Sequence, residues 1–495
     1  MLLSTLAPAK GKFVHRTRTT AVFTLALLNV FTLGAGAVVA HMLPPRLAAL
    51  HIPGTASGPL IAAAPVLAPE DTPATLTSAG LPTAAALGAM LRGALPRADT
   101  GPSVGIEVAD AQTGRVLYAD NADALAAPAS TTKLMTAVAA LAVLGPDARF
   151  ATTVRQQSGT IVLVGGGDPT LAVNPYPSSD YPRPATLASL AATTARALKA
   201  QGRDSVRLGF DTSLYTGPDM APGWTDGLVY TGNVTPIVSL EADQGRLTAN
   251  GAFQDDDDPT NYRARTFDPA GMTAAAFASL LERDGITVTG SPAEVTAAAS
   301  APVIASVSSP ALAAIEEQML LESNNVIAEN LARHVAIALG MPATFSGAAD
   351  AVMTEARRLG VTTPVHLVDG SGLSPDDGIA PATLVRVLAL AAGRPQLRAV
   401  ITGLPVAGFA GTLSAGNSVF GRIGNLGGGA ARGVVRAKTG NLDTVATLAG
   451  LAYDRGGTLL LFAIMAPQVP GAALLPNAAN AIDSAAAGLA QCGCR

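Results

Sequence analysis

The chain predicts an α+β fold: an antiparallel sheet with helices segregated onto it, interrupted by an inserted stretch of mixed α/β structure. Near the C-terminus, Val434 to Lys438, Val445 to Tyr453 and Thr458 to Met465 read as β runs, separated by Thr439-Gly440 and an Asp454 to Gly457 turn. Stretches of helical period stand apart from them, which is the arrangement of an α+β domain. Between about Ala151 and Ala305 the texture changes, and short β-like runs alternate with turns rich in Gly, Pro and Asp.

At 495 residues, 49% of them hydrophobic, there is core enough for two domains or more. Only 14% are charged and the net charge is -4, so nothing recommends nucleic acid as a partner. The two cysteines, Cys492 and Cys494, lie too close together to staple a domain. Lys10, Lys12, Arg16 and Arg18 precede an uncharged apolar run from Thr20 to Ala40. We read residues 1–19 as a basic tail and 20–40 as a transmembrane anchor or a signal peptide; its length favours an anchor. Residues 41–81 are a Pro/Ala-rich linker. On this reading 82–150 and 306–495 form one extracytoplasmic domain and 151–305 the insertion.

In chain order, Ala84 to Leu95 suits a small amphipathic helix, and Val104 to Val108 with Arg115 to Ala119 a hairpin about Asp110-Ala-Gln-Thr-Gly114. Pro128 then precedes a helical row, Leu134, Val138 and Leu141, which Gly145-Pro146 ends. In the insertion, Thr160 to Val164, Ser205 to Gly209, Leu228 to Tyr230 and Gly245 to Ala249 are β-like. Asp255 to Asp258 is a solvated acidic loop whose spacing fits no EF-hand, and Gly165-Gly-Gly-Asp-Pro169 is a turn. Ser309-Pro310 should cap a helix over Ala311 to Glu322; Ser323-Asn324-Asn325 breaks it before a second, Val326 to Leu339. Asp369-Gly-Ser-Gly-Leu373 is a tight loop and Pro381 to Ala392 a helix. The Gly-rich Gly421 to Gly433 is a mobile loop, and a helix from about Asn477 to Leu489 closes the chain.

Ser130 and Lys133 are three apart in a first helical turn, so hydroxyl and amine share a face. A serine needs a base to become a nucleophile, and a lysine against apolar surroundings can be neutral enough to serve. The chain has only five lysines, Lys10, Lys12, Lys133, Lys199 and Lys438, among many more arginines. A lysine kept in such a composition points to a position where Arg, which stays protonated, will not serve. A histidine-assisted serine hydrolase is the weaker reading: only His334 and His366 lie in the candidate domain, and no Gly-x-Ser-x-Gly elbow is present. The sequence gives no cofactor motif and no metal cluster.

Ser130-Thr-Thr-Lys133, Ser323-Asn-Asn325 and Lys438-Thr439-Gly440 stand in order. Together they resemble the three motifs of penicillin-binding proteins and serine β-lactamases. The long gap between the first two resembles the D-alanyl-D-alanine carboxypeptidase/endopeptidase branch called class C or PBP4-type, the S13 peptidases. Gly-Gly-Asp-Pro-Thr-Leu171, Phe210-Asp-Thr-Ser, Pro222-Gly-Trp and Asp369-Gly-Ser-Gly-Leu-Ser resemble that branch too. The resemblance runs from about Pro82 to the C-terminus and implies the penicillin-binding/β-lactamase-like transpeptidase fold. It implies peptidoglycan stem peptides as substrate, β-lactams as covalent inhibitors, and membrane attachment through the N-terminal segment.

By that resemblance Ser130 is the nucleophile and Lys133 its base. Ser323 relays a proton to the leaving group beside Lys438, and Asn325 orients Lys133 and the substrate amide. Lys438, Thr439 and Gly440 line the substrate carboxylate, and the N–H groups of Ser130 and Asn441 form the oxyanion hole. Asn441 stands where the family often has Thr, so any hydroxyl contact there is lost. Asp211 resembles the residue that meets a cationic stem-peptide side chain; a turn-capping role fits it equally. A silent wall-binding protein would keep the fold without these motifs, and a β-lactamase would lack the insertion.

Overall fold

Two sheets organise the chain. The computed structural model describes residues 80–175, 181–247, 264–414, 429 and 431–494. The expected N-terminal tail, membrane segment and most of the linker lie outside these residues, as do the Asp255 to Asp258 run and most of the Gly421 to Gly433 loop. Among the described residues, no helix is long and apolar enough to cross a membrane.

The first sheet joins strands from both ends of the chain. β1 (Gly105–Asp110) and β2 (Val116–Asp120) form the expected hairpin, and β11 (Val435–Leu442), β12 (Val445–Tyr453) and β13 (Leu459–Ala466) complete the order β11-β12-β13-β1-β2. All its pairs are antiparallel. β12 and β13 are apolar along almost their whole length because both faces are covered. Leu460, Phe462 and Ile464 join the core of α1 (Ala84–Ala94) and the C-terminal α9 (Leu475–Gln491). Leu461, Ala463 and Met465 alternate to the other face, where α2 (Lys133–Leu144), α5 (Leu312–Glu322), α6 (Asn325–Ala338), α7 (Phe345–Arg358) and α8 (Pro381–Gly393) share a second core. A two-stranded ribbon, β9 (Val365–His366) with β10 (Gly378–Ile379), frames the Asp369 loop.

The second sheet is built from residues between α2 and α5. β3 (Ala151–Gln157), β4 (Thr160–Val164), β5 (Ser205–Asp211), β6 (Thr287–Val288) and β8 (Val303–Ser308) run in the order β6-β5-β4-β3-β8, with β7 (Ala293–Glu294) also on β5. It is mixed: β3 pairs antiparallel with β4 and β8, while β5 pairs parallel with β4, β6 and β7. α3 (Leu187–Ala200) and α4 (Pro269–Arg283) close a core of Leu163, Leu190, Leu198, Leu208, Phe277 and Leu281.

Three local expectations are corrected. Asp226–Tyr230 is a short helix, not a strand, because Thr225 and Asp226 start a helical turn that outweighs the β preference of Val229 and Tyr230. Ser309 caps nothing: its hydroxyl accepts from the Phe150 N–H and donates to the Pro310 carbonyl, and Ala311 is the cap position. β11 does not stop at Lys438 but continues through Lys-Thr-Gly to Leu442, since β12 offers a partner for each residue. Cys492 and Cys494 are paired as a disulfide.

Candidate active site

The chain reaches Ser130 through a tight turn. Ala129 has a left-handed φ of 48°, and Ala129–Thr132 form a 3₁₀ turn that runs directly into α2 at Lys133. The Thr131 and Thr447 hydroxyls both donate to the Pro128 carbonyl, at 2.7 and 2.8 Å, and tie the turn to β12. Gly440 is glycine for a steric reason: a Cβ there would lie 2.2 Å from the Thr447 hydroxyl and 2.7 Å from the Pro128 carbonyl. Gly372 is another: its φ is +83°, and a Cβ there would meet the Ala129 carbonyl at 1.9 Å.

Lys133 is fully buried, and its Nζ donates to Ser130 Oγ at 2.9 Å, Asn325 Oδ1 at 2.6 Å and the Ser371 carbonyl at 2.7 Å. Three acceptors saturate an ammonium. Burial nevertheless lowers its pKa to about 7, opposed in part by Asp369, Glu329 and Asp377. Burial raises Glu329 to about 8 and Asp377 to about 9, each helped by the nearby Asp369.

Asp369 shapes the loop beside Lys133. Its carboxylate accepts from the N–H groups of Ser371, Gly372 and Ser374, at 3.0, 2.6 and 2.7 Å, and from Trp224 Nε1 at 2.9 Å. Glu329 takes the Gly370 N–H, and Thr136 donates to the Gly370 carbonyl at 2.6 Å. The Ser371 carbonyl is thereby aimed at Lys133.

The second motif lies at a helix junction. Ser323 ends α5 in the left-handed region, φ 61° and ψ 38°, and Asn324 caps α6 by accepting the Ile327 N–H at 3.1 Å. Asn325 donates from Nδ2 to the Asn233 carbonyl at 2.9 Å, which leaves Oδ1 for Lys133. The third motif is on β11. Lys438, also fully buried, donates to Ser323 Oγ at 2.7 Å and to the Thr439 carbonyl at 2.9 Å. Thr439 and Thr412 share a hydroxyl–hydroxyl bond of 2.9 Å.

β11 is the edge strand of its sheet. Its outer side is met by Ala407 N on the Val435 carbonyl and by the Pro405 carbonyl on Ala437 N. Alternation turns the N–H groups of Thr439 and Asn441 to that same outer side, beyond where the 405–407 segment covers it.

The structure thus brings Ser130, Lys133, Ser323, Asn325, Lys438, Thr439, Gly440 and Asn441 to one place. Asp211 stands apart from these bonds. Its two oxygens accept from the Ser213 and Ala297 N–H groups, at 2.8 and 2.7 Å, beside a cavity of about 350 Å³ lined by Thr212, Ser213, Glu294, Val295 and Thr296. His334 is structural: it stacks on Phe150 at 3.8 Å, its Nε2 meets the Gly167 carbonyl at 2.9 Å, and burial lowers it to about 4. Sequence reasoning noted the Asp369 and Trp224 fragments but gave them no role, and it missed Thr412 and the carbonyls of Ser371 and Asn233. A backbone carbonyl has no signature in sequence.

Residues 89–250 and 232–489 match the model of the D-Ala-D-Ala carboxypeptidase 3 (S13) family. The chain is similar to carboxypeptidase DacB of Mycolicibacterium smegmatis, 38% identical over 430 residues, 84% of this chain and 86% of that protein. It is also similar to the D-alanyl-D-alanine carboxypeptidase of Actinomadura sp. R39, 28% identical over 72% of this chain and 76% of that one. In fold it resembles the crystal structure of penicillin binding protein 4 from Haemophilus influenzae, with a TM-score of 0.63 at 23% identity, covering 79% of this chain and 97% of that one.

Proposed function

The chain belongs to the D-Ala-D-Ala carboxypeptidase S13 family of serine-type peptidases, and from that premise we propose that it acts outside the cytoplasm on peptidoglycan stem peptides through an acyl-enzyme on Ser130. The observation that carries this reading is Lys133 Nζ, 2.9 Å from Ser130 Oγ and lowered by burial to about 7. An amine so poised is neutral in a sizeable fraction near pH 7, which is what a general base needs.

The Ser130 hydroxyl gives its proton to Lys133 as Oγ attacks the carbonyl carbon of the penultimate D-Ala. The N–H groups of Ser130 and Asn441 meet the developing oxyanion. When the C–N bond breaks, the terminal D-Ala leaves as its amine after a proton passes through the Ser323 hydroxyl, which Lys438 holds. Lys438 and Thr439 face the departing carboxylate. Water then attacks the ester carbonyl, the C–Oγ bond breaks, and Ser130 recovers its proton. The strained amide of a penicillin would enter the same step and remain as an adduct.

Residues 151–305 act in this proposal as an inserted domain, and 20–40 as the export or anchor segment, supported by the basic flank and apolar run. Asp211 is retained as a candidate for substrate side-chain recognition through the cavity it borders. Intact-protein mass spectrometry after penicillin tests the core of the proposal. One adduct is expected, absent in Ser130→Ala; an adduct that survives Ser130→Ala overturns it.

A further inference from the structure

The segment from Asn233 to Arg246 belongs to none of the three motifs, yet it grips the Ser323–Asn325 turn. The Asn233 carbonyl holds Asn325 Nδ2 at 2.9 Å, and Gln244 Oε1 accepts from Asn324 Nδ2 at 2.8 Å. Farther along α6, Glu241 Oε1 accepts from Asn330 Nδ2, also at 2.8 Å. Arg246 sits close enough to Glu322, the residue before Ser323, to oppose the rise that burial imposes on its carboxyl.

The backbone here is unusual on both sides of the contact. Asp243 and Gln244 have φ of 47° and 54°, a left-handed conformation that non-glycine residues adopt only where their surroundings enforce it. Enforcement is present: Arg265 Nη1 donates to the Gln244 carbonyl at 2.7 Å, and the Thr266 N–H to the Gly245 carbonyl at 2.8 Å. Facing it is Ser323, left-handed as well, with φ 61°. Asn324, between Ser323 and Asn325, spends its Oδ1 on capping α6, and its buried Nδ2 has two hydrogens: one meets the Glu322 carboxyl within the same turn, and the other reaches across to the facing segment. Gln244, 1% exposed, supplies the acceptor there.

We propose that Gln244 is a positioning residue: by holding Asn324 it fixes the left-handed turn that aims Ser323 at Lys438 and Asn325 at Lys133. The proposal rests on the acyl-enzyme reading above. Gln244 touches no reacting atom, and its effect passes through Asn324 alone.

The test is the kinetics of penicillin acylation at saturating and limiting drug, with thermal melting alongside. Gln244→Met keeps most of the volume and removes the acceptor. It is expected to lower the maximal acylation rate about tenfold, a loss typical of misplaced reacting groups, with little change in apparent affinity. Gln244→Gly removes the acceptor while easing the left-handed backbone, so it should fold readily and still be slow. Ile161→Val, a mild core truncation in β4, should leave the rate at the wild-type value. The proposal is overturned if the folded Gln244 variants acylate within about threefold of wild type, or if Ile161→Val slows acylation as much as they do. Failure of the acyl-enzyme reading looks different: the wild type itself then forms no Ser130 adduct.

Discussion

The two sheets differ in what they give the site. In the proposed mechanism the antiparallel sheet supplies the reacting groups directly: β11 carries Lys438 and Thr439, and α2, packed on the same sheet, carries Lys133. The mixed sheet supplies none of the motif residues. What its part of the chain contributes is a carbonyl at Asn233, an amide at Gln244 and an indole N–H at Trp224, each holding a neighbour of a reacting group. One region holds chemistry and the other holds orientation. Substituting a reacting group should therefore cost the most rate, substituting an orienting group less, and truncating the core of the mixed sheet stability instead.

The largest expected effect is at Lys133. Arg keeps a positive charge and cannot accept the Ser130 proton; Met keeps neither charge nor base. Both Lys133→Arg and Lys133→Met should slow acylation by about 10²–10⁴. Stopped-flow acylation with a chromogenic β-lactam measures this. A Lys133→Arg protein within about tenfold of wild type would exclude Lys133 as the base.

The pH dependence probes the same amine without substitution. Lys133 must be neutral to act, and burial places its pKa at about 7. Well below that value the neutral fraction falls tenfold per pH unit; it is about one half at pH 7 and about one hundredth at pH 5, so acylation should drop about 50-fold between them. Above pH 8 the rate should level off. A profile flat down to pH 5 contradicts the assignment.

What was legible in the sequence follows the same division. The convergence of Ser130, Lys133, Ser323, Asn325 and Lys438 could be anticipated because the chemistry proposed for them tolerates few residue types and each sits at a local landmark, a helix start, a helix junction or a strand. The antiparallel sheet was legible from its apolar runs. Orientation was not. Asn233 and Ser371 act through backbone carbonyls that any residue possesses, and Gln244 acts from a left-handed turn in which it and Asp243 stand where glycine would be expected, with Gly245 only at the end. The Asp226–Tyr230 helix was missed because a five-residue turn shows no period.

Trp224 joins the two regions, and its substitution should have an intermediate effect. The indole donates to Asp369 and its ring meets Phe345 edge to face at 5.2 Å. Trp224→Phe keeps an aromatic ring there and removes the N–H. Asp369 retains its backbone donors, so the loop should loosen rather than collapse. One hydrogen bond to a charged group is worth about 1.5–3 kcal/mol, and if roughly half reaches the placement of the Ser371 carbonyl, acylation falls about tenfold. An unchanged rate would show that the loop holds its shape without the indole.

The smallest effect on rate, and a large one on stability, is expected at Leu198. It is fully buried on α3, in the core shared with Val206, Leu208 and Phe277. Leu198→Ala removes three carbons from a packed interior and leaves a cavity, which costs about 2–5 kcal/mol. α3 lies outside the bonds described for the Ser130 cluster: the contacts that grip the Ser323–Asn325 turn come from Asn233 and Gln244, and Glu241 holds Asn330 farther along α6. The melting temperature should therefore fall by several degrees while the acylation rate of the folded protein stays within about twofold of wild type. Chemical denaturation and acylation kinetics on one preparation give both numbers. If the rate falls together with stability, the mixed sheet is coupled to the chemistry as a whole, and the division between chemistry and orientation fails at the level of its core.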